Sequence, residues 1–308
     1  MPTIALVSAR EALALDEDLP PLIEALRRAG AQVEVPCWDD AAVDWSHFDL
    51  ALLRSTWDYV ERIDEFLDWA RRCAAATVLL NPPEVVAWNT DKHYLTHLHR
   101  AGVEVVPSRF VEPGEAVEAA LDDFLTAAPG TVTAGHAVAF EQFVVKPSIG
   151  AGSRDAARYR RVDRDKALAH LRRLVTVEGR SALLQPYLER VDHAGETALI
   201  YFGGEPSHAI RKGPLLRLDE GLVAGLFAPE DISAREPVAQ ERELAAKAYA
   251  ALPFAPPLYA RIDMIQADDG TPMLLELEMT EPSLFFAHAP GSADRLARLV
   301  LRRCAATG

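Results

Sequence analysis

The chain of 308 residues has an ordinary globular composition, with 49% hydrophobic and 25% charged residues and a net charge of -14. This acidic balance argues against a nucleic-acid or anionic-membrane binder, because no basic excess is available to neutralise phosphates. The chain has no evident signal segment and no apolar run of about 18 residues. Its three cysteines, Cys37, Cys73 and Cys304, are far apart. We therefore expect a cytoplasmic protein without a disulfide framework or a zinc site.

Short β-rich runs alternate with helical patterns over residues 1–90, which predicts βαβ units on a parallel sheet. Ligands of such sheets bind beyond the carboxyl ends of the strands, and RSTWDY follows the apolar run DLALL at such a place. The candidate substrate residues are Arg54, Ser55, Thr56, Trp57 and Asp58. We expect Arg54 to bind a carboxylate and Asp58 an ammonium, with Trp57 and Tyr59 as walls. A loop that caps the next helix is the alternative.

A glycine-rich segment, FVVKPSIGAGSRD, suggests a phosphate-binding loop. A predicted strand carries Lys146 and is followed by Gly150, Gly152 and Ser153. Glycines allow backbone N–H groups to approach phosphate oxygens closely. The segment matches neither a Walker loop nor GxGxxG, because Asp155 occupies the third glycine position, so a nicotinamide-dependent enzyme is disfavoured. An ordinary turn between strands is the alternative.

The segment RIDMIQADDGTPMLLELEMTE, residues 261–281, predicts a β-hairpin. Asp269-Gly270 separates two alternating runs and favours a two-residue type I′ turn. This turn would pair Gln266 with Met273, Asp263 with Glu276, and Arg261 with Glu278.

Alternation along the two strands places charged and apolar side chains on opposite faces. Arg261, Asp263, Glu276 and Glu278 share one face, while Ile262, Met264, Leu275 and Leu277 point toward a core. Three neighbouring carboxylates raise one another's pKa unless a cation intervenes, and oxygen ligands without His or Cys suit Mg²⁺. A solvated charged face is the alternative.

In chain order, several segments resemble the ATP-grasp superfamily, especially the branch with bacterial glutathione synthetase, the ribosomal-protein glutamate ligases and D-alanine ligase. They are NPPEVVAWNTDKHYL, FVVKPSIGAGS, LLQPYL, GETALI, YARIDMI and LLELEMTEP, and they span roughly residues 80–285. The resemblance implies an α/β fold in which two lobes clasp ATP beside an N-terminal parallel βαβ domain. The expected boundaries are 1–90 for that domain, 91–184 for the central lobe and 185–308 for the C-terminal lobe.

The resemblance also implies the ATP and Mg²⁺ ligands. Lys92, Lys146, Gly150, Gly152 and Ser153 would hold the phosphates, Gln185, Tyr187 and Leu188 the adenine, and Glu196 or alternatively Asp192 the ribose. Asp263, Glu276 and Glu278 would hold two Mg²⁺ ions, and Arg261, with Lys212 or Arg211, would face the transferred phosphoryl group. Relatives commonly have Asn where this chain has Glu278, so the site carries an extra negative charge.

The implied reaction is ATP-dependent ligation, in which a carboxylate becomes an acyl phosphate and an amine then attacks it. RSTWDY, NPPEVVAWNTDK and ELEMTEPSLFF resemble a smaller ATP-grasp group that includes the cyclo-ligase of cycloserine biosynthesis, which closes O-ureido-D-serine on itself. A compact pocket closed by Trp57, Tyr59, Phe285 and Phe286 would favour that small amino-acid-like substrate. An open groove would favour an intermolecular amino-acid or peptide ligase. A non-catalytic ATP-binding regulator is a further alternative, and a homo-oligomer is left open.

Overall fold

The computed structural model describes residues 1–126, 140–218 and 231–307. The N-terminal part contains strands β1 (Thr3–Ser8), β2 (Gln32–Glu34), β3 (Leu50–Ser55) and β4 (Val78–Leu80), with helices α1 (Leu19–Arg28) and α2 (Ile63–Ala76). The strands pair in parallel in the order β2-β1-β3-β4. The predicted parallel sheet is therefore confirmed, and the RSTWDY segment begins at the carboxyl end of its third strand.

A second, antiparallel sheet follows two short helices, α3 (Pro83–Asn89) and α4 (Tyr94–Arg100). Its strands are β5 (Arg109–Val111), β6 (Gln142–Pro147), β7 (Ala157–Arg160) and β8 (Ala182–Pro186), and they are accompanied by helices α5 (Val117–Thr126) and α6 (Arg164–Arg172). The order is β5-β8-β6-β7. One face of this sheet packs against α5 and α6 in a core of its own.

The third sheet is antiparallel and contains β9 (Glu196–Phe202), β10 (Glu205–Lys212), β11 (Ile232–Ala234), β12 (Tyr259–Gln266) and β13 (Pro272–Glu278), in the order β11-β10-β9-β12-β13. Helices α7 (Val191–Ala194), α8 (Ala239–Ala250) and α9 (Ser292–Thr307) accompany it. Alternate residues of β9 face opposite cores. Ile200 packs with the first sheet and α9, whereas Leu199 packs with α4 and α8. The described helices include none that is long and apolar enough to cross a membrane.

The β12–β13 hairpin differs from its prediction at the turn. Gly270 has a φ of +88°, and the Ala267 N–H donates to the Thr271 carbonyl at 2.9 Å, so the loop is longer than a two-residue type I′ turn. Gln266 consequently pairs with Pro272. The prediction that Gln266 pairs with Met273 was therefore wrong.

A β-bulge in β13 then restores the predicted pairing further from the turn. The register shifts between Asp263 and Met264, after which Asp263 lies across from Glu276 and Arg261 across from Glu278, as predicted. A bulge adds one unpaired residue and reorients the side chains beside it. Leu275 was predicted to face the core, and this was wrong because the bulge turns it toward a cavity while Leu274 enters the core.

Asp18 joins the N-terminal part to the segment after β13. Its carboxylate accepts hydrogen bonds from the backbone N–H groups of Leu284 (2.5 Å), Phe285 (3.0 Å) and Phe286 (2.8 Å). We call these three bonds the Asp18 clamp. Leu284 and Phe286 also belong to the core shared by the first and third sheets. The segment after β13 is therefore held both by the N-terminal part and by the third sheet.

Candidate active site

A cavity lies where the three sheets meet, and each sheet contributes to its wall. The N-terminal part supplies Trp57 and Tyr59, and the second sheet supplies Val144, Lys146 and the end of β8. The third sheet supplies Glu196, Lys212, Arg261 and the Leu275–Glu278 run. Gly150–Arg154 and the segment after β13 complete the lining. The elements that the sequence separates widely thus converge on one space.

The three acids of the hairpin form a compact oxygen cluster, in which Glu276 and Glu278 line the cavity and Asp263 lies buried beside them. One carboxylate oxygen from each of Asp263, Glu276 and Glu278 lies within 4.8 Å of the others. Their backbone positions follow from the register, because Asp263 and Glu276 are direct neighbours across the two strands. Oxygen ligands in this number fit a hard divalent cation such as Mg²⁺, which is usually bound by one or two carboxylates together with substrate phosphates.

Asp263 is the most buried of the three and is held between two cations. The Arg261 Nε donates to its Oδ1 at 2.9 Å, and the Lys212 Nζ donates to its Oδ2 at 2.8 Å. Burial alone would raise the pKa of Asp263, but the charges of Arg261 and Lys212 outweigh it and hold that pKa well below its usual range. Asp263 is therefore held in its ionised form by Arg261 and Lys212.

Glu276 faces the two lysines predicted for the ATP phosphates. The Lys92 Nζ lies 2.8 Å from its Oε1 and also donates to the Gly150 carbonyl at 2.9 Å. Burial favours a higher pKa for Glu276, but the charges of Lys92 and Lys146 lower it to about 2. Burial conversely lowers the pKa of Lys146. The two lysines and the glycine-rich loop thus lie beside the acid cluster.

Glu278 occupies the position where relatives commonly have Asn, and its surroundings differ from those of Asp263 and Glu276. Its carboxylate accepts a hydrogen bond from the Arg261 Nη2. Burial, together with the negative charges of Asp263 and Glu276, raises the pKa of Glu278 to about 7. The extra acid is therefore partly offset by Arg261, and it would ionise fully once a cation is bound beside it.

The predicted nucleotide residues lie along the opposite wall. Gly152 and Ser153 have φ values of +61° and +60°, which turn the loop over the cavity. The Gln185 amide donates to the Ser108 hydroxyl at 2.9 Å, and the Tyr187 N–H donates to the Gln142 carbonyl at 2.8 Å. Leu188 also lines the cavity. The Tyr187 N–H is therefore used within the fold and is not a free donor.

Of the two acids considered for ribose, Glu196 lines the cavity and is paired with Lys212. Burial raises the pKa of Glu196 to about 8. Gly195 precedes it with a φ of +72°, and a Cβ there would lie 2.5 Å from the Lys212 carbonyl, so only glycine fits.

Asp192 lies outside that lining and is bound to neighbouring side chains instead. It accepts two bonds from Arg158, at 3.1 and 2.9 Å, and one from the Tyr187 hydroxyl. The Arg158 guanidinium also lies 3.4 Å from the centre of the Tyr187 ring. Asp192 is therefore held against Arg158 and Tyr187, whereas Glu196 faces the cavity.

The structure corrects several predicted substrate residues. Arg54 is fully buried, with its Nη2 3.8 Å from Asp16 and from Asp18, so it joins parts of the fold and does not face the cavity. Ser55 is buried against the Ser8 hydroxyl at 2.7 Å, and Thr56 is also buried. Asp58 accepts a hydrogen bond from the Trp38 Nε1 at 2.8 Å and lies outside the cavity lining. Trp57 alone of the five lines it.

Three further predicted residues lie elsewhere. The Arg211 guanidinium donates to the Ala194 carbonyl at 3.0 Å and to the His193 carbonyl at 3.3 Å, so Lys212, not Arg211, reaches the cavity. Phe286 is buried in the shared core and Phe285 packs against that core. The cavity wall predicted from these two phenylalanines is therefore supplied by other residues.

Sequence reasoning missed Glu281, Ser283 and Asn89, all of which line the cavity. Asn89 accepts the Met279 N–H and donates to the Leu277 carbonyl, both at 2.6 Å, and so fixes the end of β13. Glu281 lies in TEPS, directly after the acidic strand. The sequence signal for Glu281 was that it is a third acid, three residues after Glu278. The alternation of side chains along a strand does not predict which way it points, because β13 ends at Glu278.

This fold and this cavity define an ATP-grasp ligase. D-alanine–D-alanine ligase from Bacillus anthracis matches with a TM-score of 0.69 at 18% identity, over 100% of both chains. The ATP-grasp ligase PsnB, complexed with a precursor variant, Mg and ADP, matches with a TM-score of 0.64 at 16% identity, over 98% of both chains. Both likenesses concern the fold.

The relationship is much closer with D-cycloserine synthetase DcsG. The crystal structure of that enzyme matches with a TM-score of 0.89 at 38% identity, over 98% of this chain and 99% of the other. Cycloserine biosynthesis protein DcsG from Streptomyces lavendulae is 39% identical over 98% of this chain and 99% of its own length. Residues 4–81 match the model for the D-cycloserine synthetase DcsG N-terminal domain. The chain belongs to the DcsG family, and it is an ATP-dependent carboxylate–amine ligase.

Proposed function

We infer that the protein closes O-ureido-D-serine into D-cycloserine, using ATP and two Mg²⁺ ions in the cytoplasm. The observation that carries this proposal is the closed wall beside the metal cluster. The Trp57 Nε1 donates to the Glu281 carbonyl at 3.0 Å, and Tyr59 interacts electrostatically with the Glu281 side chain. These interactions join the N-terminal part to the segment after β13, and they favour a small substrate over a peptide. The buried, unpaired Cys37 and Cys73 suit a reducing compartment.

The residues divide into a cation set and a phosphate set. Asp263, Glu276 and Glu278 would hold the Mg²⁺ ions, which neutralise charge on the β- and γ-phosphates when bound. Lys92, Lys146 and the backbone amides of Gly150–Ser153 would bind the phosphate tail. Positioning and charge neutralisation are most of what a protein contributes to phosphoryl transfer, and these residues supply both.

The chemistry then proceeds in two substitutions. A substrate carboxylate oxygen attacks the γ-phosphorus, the bond from that phosphorus to the bridging oxygen breaks, and ADP leaves. The Arg261 guanidinium is placed to stabilise the equatorial oxygens, with Lys212 beside it. The oxygen-bound nitrogen of the ureido group next attacks the acyl carbon, phosphate leaves and the nitrogen loses its proton. One water then removes the carbamoyl group as ammonia and carbon dioxide, which leaves the five-membered ring.

The test is ADP release by the purified protein with Mg-ATP and a panel of substrates. Release with O-ureido-D-serine alone, accompanied by equimolar ammonia, is the expected result, because the nucleophile is within the same molecule. Release only with pairs of amino acids, or with an amino acid and a peptide, would replace this proposal with an intermolecular ligase. Binding of Mg-ATP without release for any substrate would favour an ATP-binding regulator.

A further inference from the structure

Glu281 has an incompletely satisfied carboxylate in the cavity wall. The residue is 8% exposed and lines the cavity. Its carboxyl group interacts with Tyr59, which lowers its pKa, while its Oε2 accepts no hydrogen bond from the described residues. Buried carboxylate oxygens are normally paired, so an open acceptor in a binding cavity indicates that a ligand supplies the donor.

The surrounding contacts hold the backbone that carries this carboxylate. Trp57 binds the Glu281 carbonyl, and Arg54 Nη1 donates to the next carbonyl, of Pro282, at 3.3 Å. Arg261 Nη1 donates to the Ser283 carbonyl, also at 3.3 Å. The Asp18 clamp begins at the following residue. The open oxygen therefore has a fixed position within a rigid segment.

The charges around Glu281 select the kind of donor. Lys92 and Arg261 are nearby cations, but Lys92 is paired with Glu276, and Arg261 is paired with Asp263 and Glu278. Burial and the charge of Glu278 raise the pKa of Glu281 to about 8. A cationic nitrogen beside this carboxyl group would lower its pKa and favour the ionised form, whereas an anionic group would raise the pKa further. The Trp57 and Tyr59 rings in the same wall also suit a cation.

We propose that Glu281 binds the α-ammonium group of the amino-acid substrate. This assignment deepens the proposed function by naming the residue that recognises an amino acid rather than a simple carboxylic acid. It places the ammonium against the N-terminal wall. The carboxylate on the same α-carbon is then free to face the acid cluster. It also explains why a third acid follows the two metal-binding glutamates of the strand.

The experiment compares an amino acid with its hydroxy analogue and requires no turnover. D-serine and D-glycerate differ in the ammonium group, and their affinities are measured by calorimetry on the full chain with Mg²⁺ and AMPPNP. The wild type should bind D-serine roughly 10-fold or more tightly than D-glycerate. Glu281→Gln keeps the shape of the side chain but removes its charge and offers an N–H donor at the open position. In this variant the preference should fall to about one, with AMPPNP affinity unchanged.

Tyr59→Phe is the matched control, because it removes the hydroxyl partner of Glu281 and leaves the carboxylate in place. It should retain a preference for D-serine. If Glu281→Gln fails to bind AMPPNP, Glu281→Ala replaces it and should also lose the preference. A wild type without preference, or a Glu281 variant that keeps it, would overturn the proposal. Failure of the proposed function would instead appear as absent ADP release with O-ureido-D-serine, whatever these affinities are.

Discussion

The Asp18 carboxylate accepts a hydrogen bond at 3.0 Å from the backbone N–H of Phe285, a residue 267 positions later in the chain. Phe285 has a φ of +52°, a left-handed conformation that is rare for a bulky residue and persists only when its surroundings hold it. Two further bonds, from Leu284 and Phe286, converge on the same carboxylate. One buried side chain thus fixes the segment that carries Glu281.

We expect Asp18→Asn to destabilise the protein by about 1–3 kcal/mol, because the amide replaces one charged acceptor with a donor that faces backbone N–H groups. Urea denaturation measures this loss. Asp44→Asn is the control, since Asp44 is an exposed cap that accepts the Ser46 N–H, and Asn caps nearly as well. Equal stability of the two variants would show that the Asp18 clamp contributes little.

Glu276→Gln should reduce ADP formation by at least about 100-fold while the fold remains intact. The amide removes a metal ligand and also leaves the positive charges of Lys92 and Lys146 without their shared counter-charge. ADP release and the thermal midpoint are measured together. The control is Glu24→Gln, at a side chain that is 73% exposed. Turnover near that of the wild type would contradict the assignment of the acids as metal ligands.

Arg261→Lys should lower kcat by roughly 100-fold with little change in ATP affinity, because an ammonium cannot reproduce a planar fork that reaches both Asp263 and Glu278. Steady-state kinetics with varied ATP separates the two effects. Arg211→Lys is the comparison, since its guanidinium binds backbone carbonyls outside the cavity lining. A larger loss of kcat in Arg211→Lys than in Arg261→Lys would reverse their assignment.

His170 predicts a loss of stability in acid. Burial, followed by the charge of Arg173, lowers the pKa of this imidazole from 6.5 to about 4. Between these values the unfolded chain binds more protons than the folded one. The stability is therefore fully present above about pH 6.5 and is lost as the pH falls through about 4, by up to about 3 kcal/mol.

Urea midpoints at pH 7, 6, 5 and 4 test this dependence. His170→Gln should show a shallower loss over that interval, whereas His47→Gln, at a side chain that is 61% exposed, should follow the wild type. Parallel curves for the wild type and His170→Gln would show that His170 does not control the acid limb.

Local patterns predicted the elements and the acidic face well. The order of β-rich runs and helical patterns identified the parallel sheet. The Asp269-Gly270 signal predicted that Asp263 lies across from Glu276, and this pairing is correct even though the turn type was wrong. The longer turn shifts the register by one residue, and the bulge at Leu275 shifts it back. Two irregularities of opposite effect therefore preserved the predicted cluster, and they changed only the pairing near the turn and the direction of Leu275.

Contacts between distant segments could not be predicted in the same way. Arg54 follows a strand that ends near the cavity, but the position of its side chain depends on Asp16, Asp18 and Pro282. A buried arginine needs several partners, and these come from opposite ends of the sequence. Spacing rules describe neighbours within an element, so they cannot show which of two faces a loop residue will occupy.

The aromatic wall formed by Trp57 and Tyr59 comes from the first sixty residues of the chain, while the Glu281 carbonyl that accepts the Trp57 hydrogen bond belongs to a segment near the C-terminus. Under the proposed role of Glu281, substrate specificity depends on residues from both ends of the chain. A chimera that exchanges only the first 90 residues with another ATP-grasp ligase would join an unmatched wall to the Glu281 segment. Altered specificity by recombination would require both pieces to be transplanted as a pair.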